Sequence, residues 1–248
     1  MREKKEKLYI IIPAYNEEET IEQVTKKWYK IIDKIGNNSK LVIINDGSKD
    51  HTLKKLNTLK NKLNNLVILN KKNSGHGDTI LHGYKYALIN KADYIFQTDS
   101  DDQTLPQEFW KFWKQRKKYA AIIGSRKHRQ DGLSRVIVTK ILKLLILIIF
   151  HLNVEDANTP FRLINRKTLE KYYPQIPEHF NLSNVMLSIL MINGKEKVKF
   201  IPITFRPRQG GTNSINLKKI TKIGIQAIKD FTIIKKGLND KNNYYEIN

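Results

Sequence analysis

The sequence predicts an α/β fold, a mostly parallel central sheet flanked by helices. Three observations lead there. Short apolar runs of strand length alternate with longer segments of helical periodicity. Polar and glycine-rich stretches follow those runs at their C-terminal ends. A parallel βα crossover is right-handed, so these stretches gather on one edge of the sheet, where ligands bind in such folds.

The expected strands are Leu8–Ile12, Leu41–Ile44, Leu66–Leu69, Tyr94–Thr98 and Ala121–Gly124. Between them, Glu17–Ile35, Asp50–Leu63, Gly77–Ile89 and Pro106–Tyr119 read as helices, the last opened by Leu105-Pro106-Gln107-Glu108. Val136 to Leu152 is rich in Ile and Leu and interrupted by Lys140 and Lys143. Its longest uncharged run, Leu144 to Val154, is shorter than the about 20 apolar residues that cross a bilayer. A buried helix or one lying in a membrane interface both fit. Ile215 to Lys236 places Ile220, Ile223, Ala227, Phe231 and Ile234 on one stripe, with six lysines around the remainder. Such a cationic amphipathic helix packs on a domain or rests on anionic lipid, and the two helices together favour a membrane surface. The division expected is a domain over 1–214, with halves at about 8–126 and 127–214, then a helix and frayed tail over 215–248.

At 248 residues the chain can bury a sizeable core, and 40% hydrophobic with 9% aromatic residues is globular rather than disordered. The absence of cysteine excludes disulfides and thiolate metal sites. Met1 to Lys7 is charged and Leu8–Ile12 is too short for a signal-peptide core, so a cytoplasmic protein, peripheral at most on the membrane, is expected. A net charge of +21 suits a nucleic acid, an anionic membrane or a phosphorylated substrate, and a Lys-, Ile- and Asn-rich composition accounts for it equally. The lysines are scattered rather than set in a stripe with aromatic platforms, which argues against a nucleic-acid partner.

The fourth strand ends in Asp99-Ser100-Asp101-Asp102-Gln103. Carboxylates one residue apart on a turning backbone can converge on a hard cation, and Mg2+ or Mn2+ prefers such oxygens beside a phosphate. The same acids would also suit a helix N-terminus. After the first strand, Pro13-Ala14-Tyr15-Asn16-Glu17 offers Tyr15 to cover a base or ribose and Glu17 to accept from a donor there. Asp46-Gly47-Ser48 ends the second strand; Asp46 can accept a base imino proton or simply make a turn, which Gly47 permits. Gly75-His76-Gly77 lets backbone approach a sugar or phosphate, and His76 reads as a solvated loop residue or a general base.

Four ordered motifs carry a resemblance: Ile12 to Glu18, Val42 to Asp50, Asn73 to Gly77, and Gln97 to Gln103. Weaker ones follow in Ile123-Gly124-Ser125-Arg126, Asp156 with Phe161-Arg162-Leu163, and Ile201 to Phe205 with Arg208 and Gly211. Over roughly residues 8 to 215 the chain resembles the family 2 glycosyltransferases of the GT-A fold, and within them the dolichyl-phosphate and polyprenyl-phosphate sugar transferases. The resemblance implies a nucleotide-diphosphate sugar donor (UDP- or GDP-linked), Mg2+ or Mn2+ as cofactor, and inverting transfer to a lipid phosphate. By it, Pro13, Ala14, Tyr15, Glu17, Asp46, Gly47, Asp99 and Ser100 line the nucleotide pocket. Asp99, Asp101 and Gln103 hold the metal, while Arg126, Arg135, Arg162 and Arg208 contact donor or acceptor phosphate, a structural ion-pair role fitting Arg162 equally in its Phe-Arg-Leu run. Asp156 and Arg126 carry the catalytic role. The chain departs from the pattern at Thr159-Pro160, where many relatives place an acid before Phe-Arg, and Pro160 cannot be a base. A hydroxyl acceptor needs a positioned carboxylate, whereas a phosphate is already anionic, so the departure leans slightly towards phosphate, although Asp156, the nearest carboxylate, could serve either acceptor. The Gly210 to Ser214 region also lacks the Gly-x-Ser-Lys ending of mannose synthases. A sugar-hydroxyl acceptor in surface polysaccharide synthesis is the alternative, and a basic nucleotide- or nucleic-acid-binding protein the remote one.

Overall fold

A computed structural model describes residues 6–36, 38–126 and 133–207 and six positions between 226 and 235, with backbone alone for 133–137. Among them, seven strands form one sheet in the order β3-β2-β1-β4-β6-β5-β7. They are β1 (Leu8–Ala14), β2 (Lys40–Asp46), β3 (Leu66–Lys71), β4 (Tyr94–Gln97), β5 (Ala121–Ser125), β6 (Arg162–Asn165) and β7 (Val198–Pro202). The five expected strands are all present. Every neighbouring pair runs parallel except those of β6, which is antiparallel to both β4 and β5. The C-terminal ends of β1, β2, β3, β4, β5 and β7 therefore share one edge. Because β6 and β7 sit in the same sheet as β1, residues on both sides of the expected boundary near 126 build one sheet.

The helices are α1 (Ile21–Ile35), α2 (Thr52–Lys60), α3 (His76–Ile89), α4 (Phe109–Trp113), α5 (Leu133–Phe150), α6 (Arg166–Tyr172) and α7 (Ser183–Asn193). Strand residues alternate between two cores, as a period of two requires. In β1, Tyr9 and Ile11 join the core beneath α3, α5, α6 and α7, while Leu8, Ile10 and Ile12 face α1, α2 and α4. Burial on both faces explains why β1 reads as an unbroken apolar run. The second core holds an aromatic knot, with Phe96 edge-on to Phe161 at 4.7 Å and to Phe109 at 5.1 Å between ring centroids. Such pairs add about 0.5–1.5 kcal/mol beyond the area they bury.

Two expected helices differ in their limits. α1 starts at Ile21 rather than Glu17 because Asn16 adopts a left-handed φ of 53° and Thr20 and Ile21 fold back onto the Glu17 carbonyl. The segment Pro106–Tyr119 is broken into α4 between two 3-10 turns. Arg116 donates to the Trp113 carbonyl at 2.9 Å and lies 4.2 Å over its ring, ending α4 there. Of the expected helix over 215–236, only scattered positions fall within the described residues.

Candidate active site

The strand edge opens into a cleft of about 360 Å³. Its walls come from the loops after four adjacent strands. Pro13, Ala14, Tyr15 and Glu17 follow β1, Asp46 ends β2, Asn73, Gly75, His76 and Thr79 lie between β3 and α3, and Asp99, Ser100 and Asp101 follow β4. The structure thus brings together eight of the expected site residues. Asn73, Gly75, His76 and Thr79 complete the wall; the sequence marked Asn73 within a motif, Gly75 as a point of close backbone approach and His76 as a solvated loop residue or a general base, and Thr79 gave no signal.

Local chemistry explains each wall. The left-handed turn at Asn16 is held by its N–H donating to Ser48 Oγ at 3.0 Å and its side-chain carbonyl accepting from the Lys49 N–H at 2.8 Å. That turn leaves Tyr15 42% exposed, a ring free to cover a planar ligand. Glu17 is buried and accepts from Thr20 Oγ1 at 3.1 Å. Asp46 is buried too, and its carboxylate accepts from the Ser74 N–H at 3.0 Å, the Gly75 N–H at 3.1 Å and Lys71 Nζ. It therefore pins the β3–α3 loop as well as facing the cleft. Gly47, with φ of 66°, lies outside the lining; a Cβ there would sit 2.7 Å from the Asn73 nitrogen, so the turn needs glycine. Gly77 lets α3 approach the Phe180 carbonyl, which a Cβ would meet at 2.2 Å.

The acidic loop divides its carboxylates between two tasks. Asp99 Oδ1 is buried with no hydrogen-bond partner, and His76 Nε2 stands 3.7 Å from it. Asp101, two residues on, accepts from the Gln103 N–H at 3.3 Å. Asp102 has a left-handed φ of 57° and turns away to bond Lys27 at 2.7 Å and Arg206 at 3.2 Å. An orphaned carboxylate oxygen beside a second acid fits a divalent cation that takes its remaining ligands from phosphate and water. No group of three acidic or histidine side chains converges as a metal cage among the described residues. Gln103, expected as a further ligand, is buried, and its amide donates at 2.7 Å to the Arg206 carbonyl, tying the segment after β7 to this loop.

Arg126 and Asp156 lie outside the cleft lining and pair with each other. Arg126 Nε and Nη2 each donate to Asp156 at 2.8 Å, and the guanidinium stacks 5.2 Å over the Phe205 ring. Burial alone would raise the Asp156 carboxyl, but the bonds and charge of Arg126 outweigh it and hold the pKa below the ordinary carboxylate value. Its stabilisation is thus present above the unfolded pKa and lost as pH falls through the depressed folded value. The difference in Tm between wild type and Asp156→Asn, wide at neutral pH, closes below about pH 4. A gap that persisted there on acid titration would contradict this account of the pair.

Arg162 requires a correction. It was expected to contact phosphate, but it is fully buried, and all five of its N–H groups are spent inside the fold. Nε and Nη2 donate to the Thr159 carbonyl, Nη2 also to Ala157, and Nη1 to the Asn184 carbonyl and Ser188 Oγ, at 2.7–3.3 Å. It braces the chain before β6 against α7 and has no donor left for a ligand. The Arg135 side chain and all of Arg208 lie outside the described residues.

An open, mostly parallel sheet with a polar cleft at its strand ends defines an α/β class of protein in which ligands bind at the carboxyl ends of the strands. The profile described as Glycosyl transferase family 2 matches residues 9–173. The chain belongs to that family and is a glycosyltransferase. It is 30% identical over 234 residues to an uncharacterized protein of Methanocaldococcus jannaschii, covering 88% of this chain and 96% of the relative. It is 27% identical over 243 residues to a dolichyl-phosphate beta-glucosyltransferase of Trichomonas vaginalis, covering 88% and 71%. An undecaprenyl-phosphate 4-deoxy-4-formamido-L-arabinose transferase of Proteus mirabilis is 28% identical over 58% of this chain, which spans only 44% of that relative. Among solved structures, glucosyl-3-phosphoglycerate synthase of Mycobacterium tuberculosis with UDP superposes with a TM-score of 0.69 at 15% identity, over 94% of this chain and 80% of that one. That likeness confirms the GT-A type of fold.

Proposed function

We propose that this glycosyltransferase moves a sugar from a UDP- or GDP-linked donor to a polyprenyl phosphate, with inversion at the anomeric carbon. The observation that carries the donor half is the bare Asp99 carboxylate oxygen beside Asp101 in the cleft. The acceptor half is supported by the activities for which the Trichomonas and Proteus relatives are named and by Pro160 standing where a base would be. Asp99 and Asp101 would hold a divalent cation, Mg2+ or Mn2+, which would supply positive charge to the departing diphosphate. Tyr15, Glu17 and Asp46 hold the nucleoside so that the anomeric carbon faces the acceptor. The acceptor oxygen forms its bond to that carbon from the face opposite the bond to diphosphate, which breaks. A phosphate monoester brings its own negative charge, so the attack requires no proton acceptor. Arg126 meets that charge by exchanging Asp156 for the incoming phosphate, and Asp156 aims it until then. Arg135 and Arg208 are the further cations assigned to the phosphates.

The test is transfer of radiolabelled sugar from UDP- and GDP-donors with Mn2+ and an undecaprenyl or dolichyl phosphate. Label moving into the solvent-extractable lipid supports the reading. Label that reaches only a sugar hydroxyl refutes the acceptor assignment and leaves the donor site standing.

A further inference from the structure

α5 is apolar on both of its faces, which a helix needs only when something besides the core covers the outer one. Leu142, Leu145, Ile146 and Ile149 pack into the core beneath the sheet. On the other side, Ile141, Leu144, Leu147 and Ile148 are between 42% and 59% exposed. Positions 141, 144 and 148 are three and four residues apart and lie on one face, with Lys140 exposed on the same stripe and Lys143 exposed at its flank. Phe231 is buried and packs against Phe150 at 5.6 Å, adding the exposed Ile228 and Lys229 near that end of the helix.

We infer that this outer face of α5 docks on the surface of an anionic lipid bilayer, with the helix axis in the interface plane. Charge decides the occupant. No Asp or Glu occurs between Leu133 and Phe150, and the chain carries a net charge of +21. A second copy would set lysine against lysine across the contact, whereas anionic headgroups match Lys140 and Lys143 while the leucines and isoleucines enter the acyl boundary. No helix of the described residues is long and apolar enough to cross a membrane, so α5 lies on it. The inner side of α5 gives the docking a purpose. Lys143 and Ile146 border a small pocket with Val154 and Asp156, so the segment holding Arg126 rests on this helix. A bilayer on the outer face then stands about one helix diameter, 10–12 Å, from the segment that meets an acceptor phosphate.

The proposal goes beyond the transfer reading and is tested without donor or acceptor. The full chain is floated with vesicles of neutral phosphatidylcholine and with vesicles containing phosphatidylglycerol. Wild type floats with the anionic vesicles, and the Leu144→Glu, Ile148→Glu double variant binds them at least about tenfold more weakly with its Tm unchanged. If that variant melts early, Lys140→Gln with Lys143→Gln, which spares the apolar face, loses about tenfold in binding at low salt. Wild type that stays unbound, or a double variant that floats like wild type, overturns the proposal. A solution dimer that the double variant dissociates, without vesicle binding, overturns it in favour of a second copy.

Discussion

Replacing Asp99 or Asp101 with Asn lowers sugar transfer by about 10²–10³-fold, while Tm stays within about 2 °C of wild type. The two halves of that result have separate causes. Asp99 Oδ1 makes no hydrogen bond within the fold and has His76 Nε2 near it at 3.7 Å, so an amide in its place removes no hydrogen bond. What it removes is negative charge at the point where the proposed mechanism holds a cation and a diphosphate together. Asp102, the next acid along, is unlike them because its carboxylate is spent on Lys27 and Arg206. An Asp101→Asn enzyme that turned over at near-normal rates in a donor-saturated assay would remove the acidic pair from the mechanism.

The second large effect falls on stability. Arg162→Met costs about 3–5 kcal/mol in urea unfolding, because it strips the buried Thr159 carbonyl of both guanidinium donors and leaves the Ala157 and Asn184 carbonyls sharing the Ser188 hydroxyl. Arg162→Lys recovers little, since three donors on a flexible stem cannot reproduce a planar fork of five. Were Arg162 a phosphate ligand, as the family resemblance implies, the same substitutions would spare stability and raise the donor or acceptor KM. Unfolding curves that superpose on wild type would restore that reading.

Much of the site could be read from the chain because its residues stand where apolar runs stop. The loops after β1, β2 and β3 are short, and the parallel topology alone carries them, with the longer loop after β4, to one edge. What escaped reading depends on contacts between distant segments. β6 is four residues with an arginine at its start, too short and too charged to announce a strand; only its carbonyl partners on α7 and the preceding turn make that burial tolerable. α7 is buried on almost every side, so its sequence lacks the one-sided periodicity that reveals a surface helix. β7 is an edge strand with Lys199 exposed and Pro202 at its end, both of which mask strand character while keeping the edge unpaired. The role of Gln103 was obscured in the same way, because its partner, the Arg206 carbonyl, lies a hundred residues downstream.

The central claim is that Asp99 and Asp101 bind the donor through a divalent cation. Calorimetric titration of UDP into the protein with and without Mn2+ tests it most directly. Binding at least about tenfold tighter with Mn2+ in wild type, and the same with and without Mn2+ in Asp99→Asn, is the result this account predicts. Equal affinity with and without the metal in wild type would contradict it.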